Sequence, residues 1–245
     1  MLAVPMDHGF TLGPVTGLVD LNNMVQQVFQ GGASCVITQK GMLRSIHSSI
    51  PAEKGYLVHL SGSTTLSPTP NIKVMTGSVA NSVFLGADGV SCHVNLGASG
   101  DTAMIQDMNF IVEEADQVGM PVLAMMYVRN DDGVDSLIST HLAHACRVAE
   151  ETGVDIVKIN ATPNGNGFDE VTQGIGIPVV VAGGSKQEDF NGFLNTIKQC
   201  ILQGASGVSI GRNVFQAADP KKAMEMVRKT VMEAAKEVDH IGNLS

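Results

Sequence analysis

The sequence predicts an α/β fold, a single (β/α)8 barrel running over residues 1–245. Three observations lead there. The length of 245 residues is close to the roughly 250 that such a barrel takes as one domain. Short β-branched runs, eight in all, alternate with longer stretches whose apolar residues recur at helical spacing. One glycine-centred phrase returns at every second unit, which suits a ring built by repetition.

The elements follow in order. The first strand, 2–7, begins at once, and a helix over 21–29 ends at Gly31-Gly32-Ala33. The second strand, 35–40, leads into a loop-rich connection, and the third covers 56–61. A helix over 79–85 stops at Leu85-Gly86-Ala87 before the fourth strand, 89–95, and the helix over 103–118 follows it. Met120-Pro121 opens the fifth strand, 121–128, and the helix over 137–151 stops at Thr152-Gly153-Val154. The sixth strand, 155–161, is followed by only one or two helical turns around 168–173. Ile177-Pro178 opens the seventh strand, 178–183, and the helix over 188–202 stops at Gln203-Gly204-Ala205. The eighth strand, 207–211, and a helix over 221–238 complete the series. Continuous apolar strands joined by helices imply a parallel sheet covered on its faces, and eight units favour closure over an open sheet. Each repeated glycine is placed to take the left-handed conformation that ends the helix before it.

Charge narrows the function. With 15 Lys and Arg against 24 Asp and Glu, the formal charge is −9, the wrong sign for nucleic acid or for anionic lipid. Any phosphate must be held locally, by a few placed groups. Cys35, Cys92, Cys146 and Cys200 form no C-x-x-C pair and no zinc spacing, so buried, reduced thiols in a cytoplasmic protein are expected. The apolar runs, such as Val179-Val180-Val181-Ala182, fall far short of the ~20 residues of a membrane span. The start, with no basic or extended apolar region, reads as a strand and not as a signal peptide.

The repeat also sets a register. Five residues after each repeated glycine stand Ile37, Ser91, Lys158 and Ser209, and seven after stand Gln39, His93, Asn160 and Gly211. Side chains alternate faces along a strand. Val90, Cys92 and Val94 suit the helix-covered outside, which turns Ser91, His93, Lys158 and Asn160 inward. A lysine inside a barrel needs a reason. Burial disfavours an ammonium ion and leaves a free amine, a nucleophile toward carbonyls. The alternative is a structural lysine paired with a carboxylate.

Other candidates gather at strand ends. Asp7 closes the first strand, as a proton shuttle or as a turn cap. Tyr127 closes the fifth, as a proton donor or as a packing aromatic. Gly183-Gly184-Ser185 after the seventh strand and Gly211-Arg212 after the eighth suit a phosphate, because glycines admit backbone N–H groups and Arg212 adds a forked charge. Turn glycines beside a surface arginine are the plainer alternative. Asp7, His8, His59 and His93 lie on or after strands without an H-x-H or H-E-x-x-H pair, so they are expected to orient substrate or satisfy hydrogen bonds, and no metal is expected.

Seven phrases then resemble the archaeal-type class I aldolase family: Val4-Pro5-Met6-Asp7-His8-Gly9, Lys40-Gly41, His59-Leu60-Ser61-Gly62, Met125-Met126-Tyr127, Val157-Lys158, Val181-Ala182-Gly183-Gly184-Ser185-Lys186 and Gly211-Arg212-Asn213-Val214-Phe215-Gln216. They occur in barrel order over nearly the whole chain. The resemblance implies a phosphate-binding aldolase barrel with a Schiff base on Lys158, proton transfer by Tyr127 and Asp7, and phosphate held by the loops after strands seven and eight. His93 is placed with the substrate-binding residues. It implies no separate cofactor, a phosphorylated sugar as substrate and assembly into a homo-oligomer. Met125-Met126 resembles the branch of 2-amino-3,7-dideoxy-D-threo-hept-6-ulosonate synthases more than that of fructose-bisphosphate aldolases.

Three departures bear on this. Tyr127-Val128-Arg129-Asn130 stands where the family has Tyr-Pro-Arg-Gly. Ile159-Asn160-Ala161-Thr162-Pro163-Asn164-Gly165 replaces a Thr-rich stretch after the lysine. The chain starts at the first strand, where relatives carry a helical segment, so a different barrel floor or subunit packing is expected. A phosphodiketone thiolase, a non-catalytic phosphosugar-binding barrel and a metal-dependent lyase are the alternatives.

Overall fold

Eight parallel strands close on themselves in the computed structural model, which describes residues 1–242. They are β1 (Leu2–Pro5), β2 (Cys35–Gln39), β3 (Gly55–His59), β4 (Gly89–Leu96), β5 (Val122–Val128), β6 (Ile156–Asn160), β7 (Val179–Ala182) and β8 (Gly207–Ser209). β1 pairs in parallel with both β2 and β8, which closes the ring. The helices that cover it include α1 (His8–Leu12), α2 (Leu21–Gln30), α3 (Leu43–Ile46), α4 (Val79–Phe84), α5 (Asp101–Asp116), α6 (Ser139–Thr152), α7 (Phe168–Thr172), α8 (Phe190–Leu202), α9 (Arg212–Phe215) and α10 (Pro220–Gly242). The expected barrel is the one observed.

Side-chain alternation splits the core in two. Val36, Val58, Val90, Val157 and Val181 face outward into the layer shared with the helices. Ala3, Cys35, Ile37, Leu57, Leu123, Met125 and Val180 face inward and plug the barrel below the C-terminal ends of its strands. The repeated glycines carry the register between these layers. Gly32, Gly86, Gly153 and Gly204 have φ of 98°, 75°, 96° and 103°. Behind each, the next residue's N–H reaches back five residues, as in Ala33 to Val28 at 3.0 Å and Ala205 to Cys200 at 3.0 Å. All four cysteines are buried and free, and burial pushes the Cys92 thiol up to about 12.

Three strand ends differ from the sequence reading by two residues, all at the rim. β1 stops at Pro5, so Asp7 lies in the turn that opens α1. β3 stops at His59, and Ser61–Gly62 instead pairs antiparallel with Val74–Met75, laying residues 63–73 over the mouth. β8 stops at Ser209, and Arg212 begins a helical turn. At the rim the ladder ends where a neighbouring strand ends, which one strand's own residues do not encode.

Candidate active site

Lys158 is 5% exposed and lies inside the barrel wall, level with Met125 on β5 and Val180 on β7. Among the described residues its Nζ makes one hydrogen-bonding contact, to Met125 Sδ at 3.7 Å. No carboxylate pairs with it among the described residues. The close ion pair of the structural alternative is therefore not formed among the described residues, although the Lys158 charge is felt at Asp7.

Asp7 faces the same cavity from the β1 turn. Its Oδ2 lies 3.7 Å from His59 Nε2 and its Oδ1 3.8 Å from His8 Nδ1. Burial would raise the carboxyl, but the facing charges of His59, His8 and Lys158 outweigh it and hold Asp7 at about 2. Burial in turn lowers His59, which the Asp7 carboxylate only partly offsets. His59 Nδ1 bonds with Ser91 Oγ at 2.9 Å, which fixes the ring beneath Asp7. So His59 sits at the end of its strand and touches the site, whereas the sequence reading puts it short of the rim.

Tyr127 stands two residues above Met125 on the same face of β5. His93 stacks on it, ring centroids 4.7 Å apart, and the Arg129 guanidinium lies over the phenol ring, 4.8 Å from its centroid. Arg129 is held by Asp135, with Nε and Nη2 each 2.8 Å from Oδ1, and Asn160 Nδ2 donates to the same carboxylate at 3.1 Å. His93 shares a 2.8 Å bond with Asn95 Oδ1, and burial holds its pKa well below the usual imidazole value. The phenol is thus clamped by a neutral ring and a paired cation.

The β7 and β8 loops meet opposite. Asn213 Nδ2 donates to Gly183 O at 2.7 Å and Ser185 O at 2.9 Å, and its Oδ1 accepts from Gln187 N at 2.7 Å. A side chain on Gly183 would lie 2.9 Å from Ile210 Cγ2, and one on Gly211 2.8 Å from His8 Cε1. Gly184 has φ of 64° and open space around it. Four buried side-chain atoms lack a hydrogen-bond partner among the described residues: His8 Nδ1, Thr162 Oγ1, Ser209 Oγ and Arg212 Nε. Those of His8, Ser209 and Arg212 belong to one cavity wall. An unpaired buried polar atom costs about 1–3 kcal/mol, so this cluster suits a polar, anionic ligand.

That cavity holds about 280 Å³, and every candidate from the sequence lines it: Lys158, Tyr127, Asp7, His93, Gly183 to Ser185, Gly211 and Arg212. A larger hollow of about 750 Å³ lies outside the β1 turn, lined mainly by apolar side chains such as Phe10, Val15 and Leu18. Of the candidates only Asp7 reaches it. The cavity also contains residues that the sequence does not single out, notably Lys73, Arg129 and Asp135. Lys73 comes from an irregular segment with no periodicity to place it. Arg129 follows the end of β5, where strand alternation no longer says which way a side chain turns. No group of three or more His, Cys, Asp or Glu among the described residues is arranged to hold a metal ion.

The profile described as DeoC/LacD family aldolase matches residues 1–217. A 2-amino-3,7-dideoxy-D-threo-hept-6-ulosonate synthase of Halobacterium salinarum is 41% identical over 220 residues, which cover 90% of this chain and 82% of that protein. A 2-amino-4,5-dihydroxy-6-oxo-7-(phosphonooxy)heptanoate synthase of Streptomyces griseus is 37% identical over 220 residues, 90% of this chain and 80% of that one. Among solved structures, a Schiff-base-forming fructose-1,6-bisphosphate aldolase superposes with a TM-score of 0.86 at 25% identity, covering 94% of this chain and 93% of that one. An archaeal fructose 1,6-bisphosphate aldolase superposes at 0.84 with 26% identity, covering 94% and 92%.

Proposed function

The chain belongs to the DeoC/LacD aldolase family, and on that premise we propose that it makes or breaks carbon–carbon bonds through a Schiff base on Lys158, with a phosphorylated ketose as donor. The proposal rests on Lys158 itself: an amine 5% exposed, without a counter-ion among the described residues, facing a cavity that is also lined by Ser209 and Arg212, whose Oγ and Nε lack hydrogen-bond partners among the described residues.

Each step has a residue near it. The donor's phosphate takes the unpaired groups of Arg212 and Ser209, and this remote binding orients the ketone toward Nζ. The amine attacks the carbonyl carbon, and loss of water leaves an iminium. In cleavage, the electrons of the neighbouring C–C bond move into the iminium to give an enamine. The departing fragment's hydroxyl proton passes to a base and its oxygen becomes a carbonyl. In synthesis the enamine carbon bonds to the carbonyl carbon of an acceptor, whose oxygen takes a proton. After cleavage the enamine carbon takes a proton and so regains the iminium; in either direction water then hydrolyses the iminium and frees the lysine. Asp7, held at about 2, is ionised at neutral pH and accepts the proton or a hydrogen bond. Tyr127 donates it.

Two relatives that bear on the substrate are synthases of seven-carbon products, and Met125-Met126 points to the same branch. We therefore favour transfer of a ketose-derived unit to an acceptor aldehyde. Fructose-bisphosphate cleavage is the second reading, favoured by the likeness to aldolases of that substrate. Borohydride reduction with dihydroxyacetone phosphate or fructose 1,6-bisphosphate should leave a mass adduct on Lys158. An adduct on Lys40, Lys73 or Lys186 would move the nucleophile elsewhere, and ligand binding without any adduct would favour a non-catalytic barrel. Parallel assays of bisphosphate cleavage and heptulosonate synthesis then separate the two substrates. A homo-oligomer in the cytoplasm belongs to the same reading. Light scattering that gives a monomer mass would refute the assembly.

A further inference from the structure

The catalytic cavity carries positive charge at two places, and the mechanism uses only one of them. Arg212 sits with the β7 and β8 loops. Lys73 sits across the mouth, on the segment held by the pairing of Ser61–Gly62 with Val74–Met75. Arg129 lies near it but is already matched by Asp135. Lys73 is not matched. Its Nζ donates to Ser63 Oγ at 2.6 Å and Pro70 O at 3.2 Å, both neutral, and no ion pair reaches it among the described residues. An ammonium has three donors, so one stays available toward the cavity.

The segment is built to hold that amine in place. Ser63 Oγ donates to Pro70 O at 2.5 Å, closing the turn beneath Nζ. Asn95, fully buried, donates to Asn71 O at 2.6 Å, and Asn71 Nδ2 donates to Asp131 O at 2.9 Å. The Lys73 N–H itself points to Met104 Sδ at 3.4 Å. Burial and the neighbouring Arg129 guanidinium bring Lys73 down to about 8, as fits a cation lacking its counter-charge.

We propose that Lys73 binds the anionic end of the aldol acceptor, a carboxylate or phosphate, and so sets which acceptor the enamine meets. The inference rests on the function proposed above and extends it to the second substrate. The Streptomyces griseus relative's product has its oxo group at position 6, its phosphonooxy group at 7 and its carboxylate at the other end of the chain. With such a molecule, phosphate at Arg212 and ketone at Lys158 direct the carboxylate away from the β7 and β8 loops. Lys73 is the cation on that side.

The test uses the full chain as wild type, Lys73→Met and Lys73→Arg, with dihydroxyacetone phosphate as donor. The acceptors are succinic semialdehyde, D-glyceraldehyde 3-phosphate and neutral D-glyceraldehyde. Borohydride trapping on Lys158 is the control: no adduct in the wild type would sink the Schiff-base reading and this inference with it, whereas the outcomes below overturn the inference alone. With the adduct present, the wild type should prefer an anionic acceptor over D-glyceraldehyde. Lys73→Met should cut that preference about 10–100-fold, chiefly through the acceptor KM, as expected for a lost charge-assisted hydrogen bond. Lys73→Arg should retain part of it. The anionic acceptor that loses more in Lys73→Met names the group bound, carboxylate or phosphate. A wild type that favours the neutral acceptor overturns the proposal without any variant. An unchanged preference in a Lys73→Met protein that still forms the adduct overturns it equally.

Discussion

Lys158 shows how a single position acquires chemistry from packing. Its neighbours across the sheet, Met125 and Val180, are apolar, and its charge bears on the titration of Asp7, His8 and His59. Lys158→Ala should abolish the borohydride adduct and lower turnover at least ~10³-fold. Tyr127→Phe keeps the ring stacked on His93 and removes only the hydroxyl. It should lower kcat roughly 10²–10⁴-fold with the adduct still formed. A Tyr127→Phe enzyme of normal kcat would assign the proton to another group. Asp7 gives a pH prediction with a definite sign. Its folded carboxyl lies at about 2 against an unfolded value near 3.9. Its stabilising contribution is therefore full above pH ~5 and is lost as pH falls from about 4 toward 2. Denaturant unfolding of Asp7→Asn at pH 7 and pH 3 should show a smaller acid loss than the wild type. An identical loss would mean that Asp7 does not feel its histidines and lysine in the folded state.

The element scale is governed by the four left-handed glycines that stop helices ahead of alternate strands. Each stop fixes how many residues separate the helix from the sheet, and so which side chains turn inward. Side chains just beyond them add to this: Asp88 and Asp155 accept from Tyr56 N at 2.8 Å and Val122 N at 2.7 Å, tying each strand to the one before it. At Gly86 the place a Cβ would occupy has nothing within 4 Å, whereas at Gly204 a Cβ would meet Thr172 Oγ1 at 2.6 Å. Gly86→Ala should therefore cost only the left-handed backbone penalty, about 1–2 kcal/mol. Gly204→Ala should cost more, because Thr172 must also move. Equal losses by chemical denaturation would show that Thr172 gives way freely.

For the whole molecule, a formal charge of −9 means that long-range attraction does not recruit a phosphate. On the proposed function, capture falls to the local groups of the β7 and β8 loops, with Asn213 bracing one against the other. A ligand that binds only the folded barrel raises its melting temperature by mass action. Dihydroxyacetone phosphate at about 100 times its Kd adds roughly 2.7 kcal/mol, or on the order of 5–10 °C for a chain of this size. Arg212→Ala should remove most of that shift while leaving the unliganded melt close to wild type. A full shift in Arg212→Ala would place the phosphate elsewhere in the cavity.

By itself the sequence determined the barrel, the inward register of Ser91, His93, Lys158 and Asn160, and the nine residues that line the cavity as candidates. These were legible because alternation and helix stops are local, repeated signals that add up along the chain. What the tertiary structure decided lies at the rim. His59 beneath Asp7, Asn213 between two loops, Arg129 on Asp135 and Lys73 over the mouth all depend on contacts between segments far apart in the chain. Irregular loops carry no period, so which of their side chains reach a shared cavity is settled only when the ring closes and brings the strand ends together.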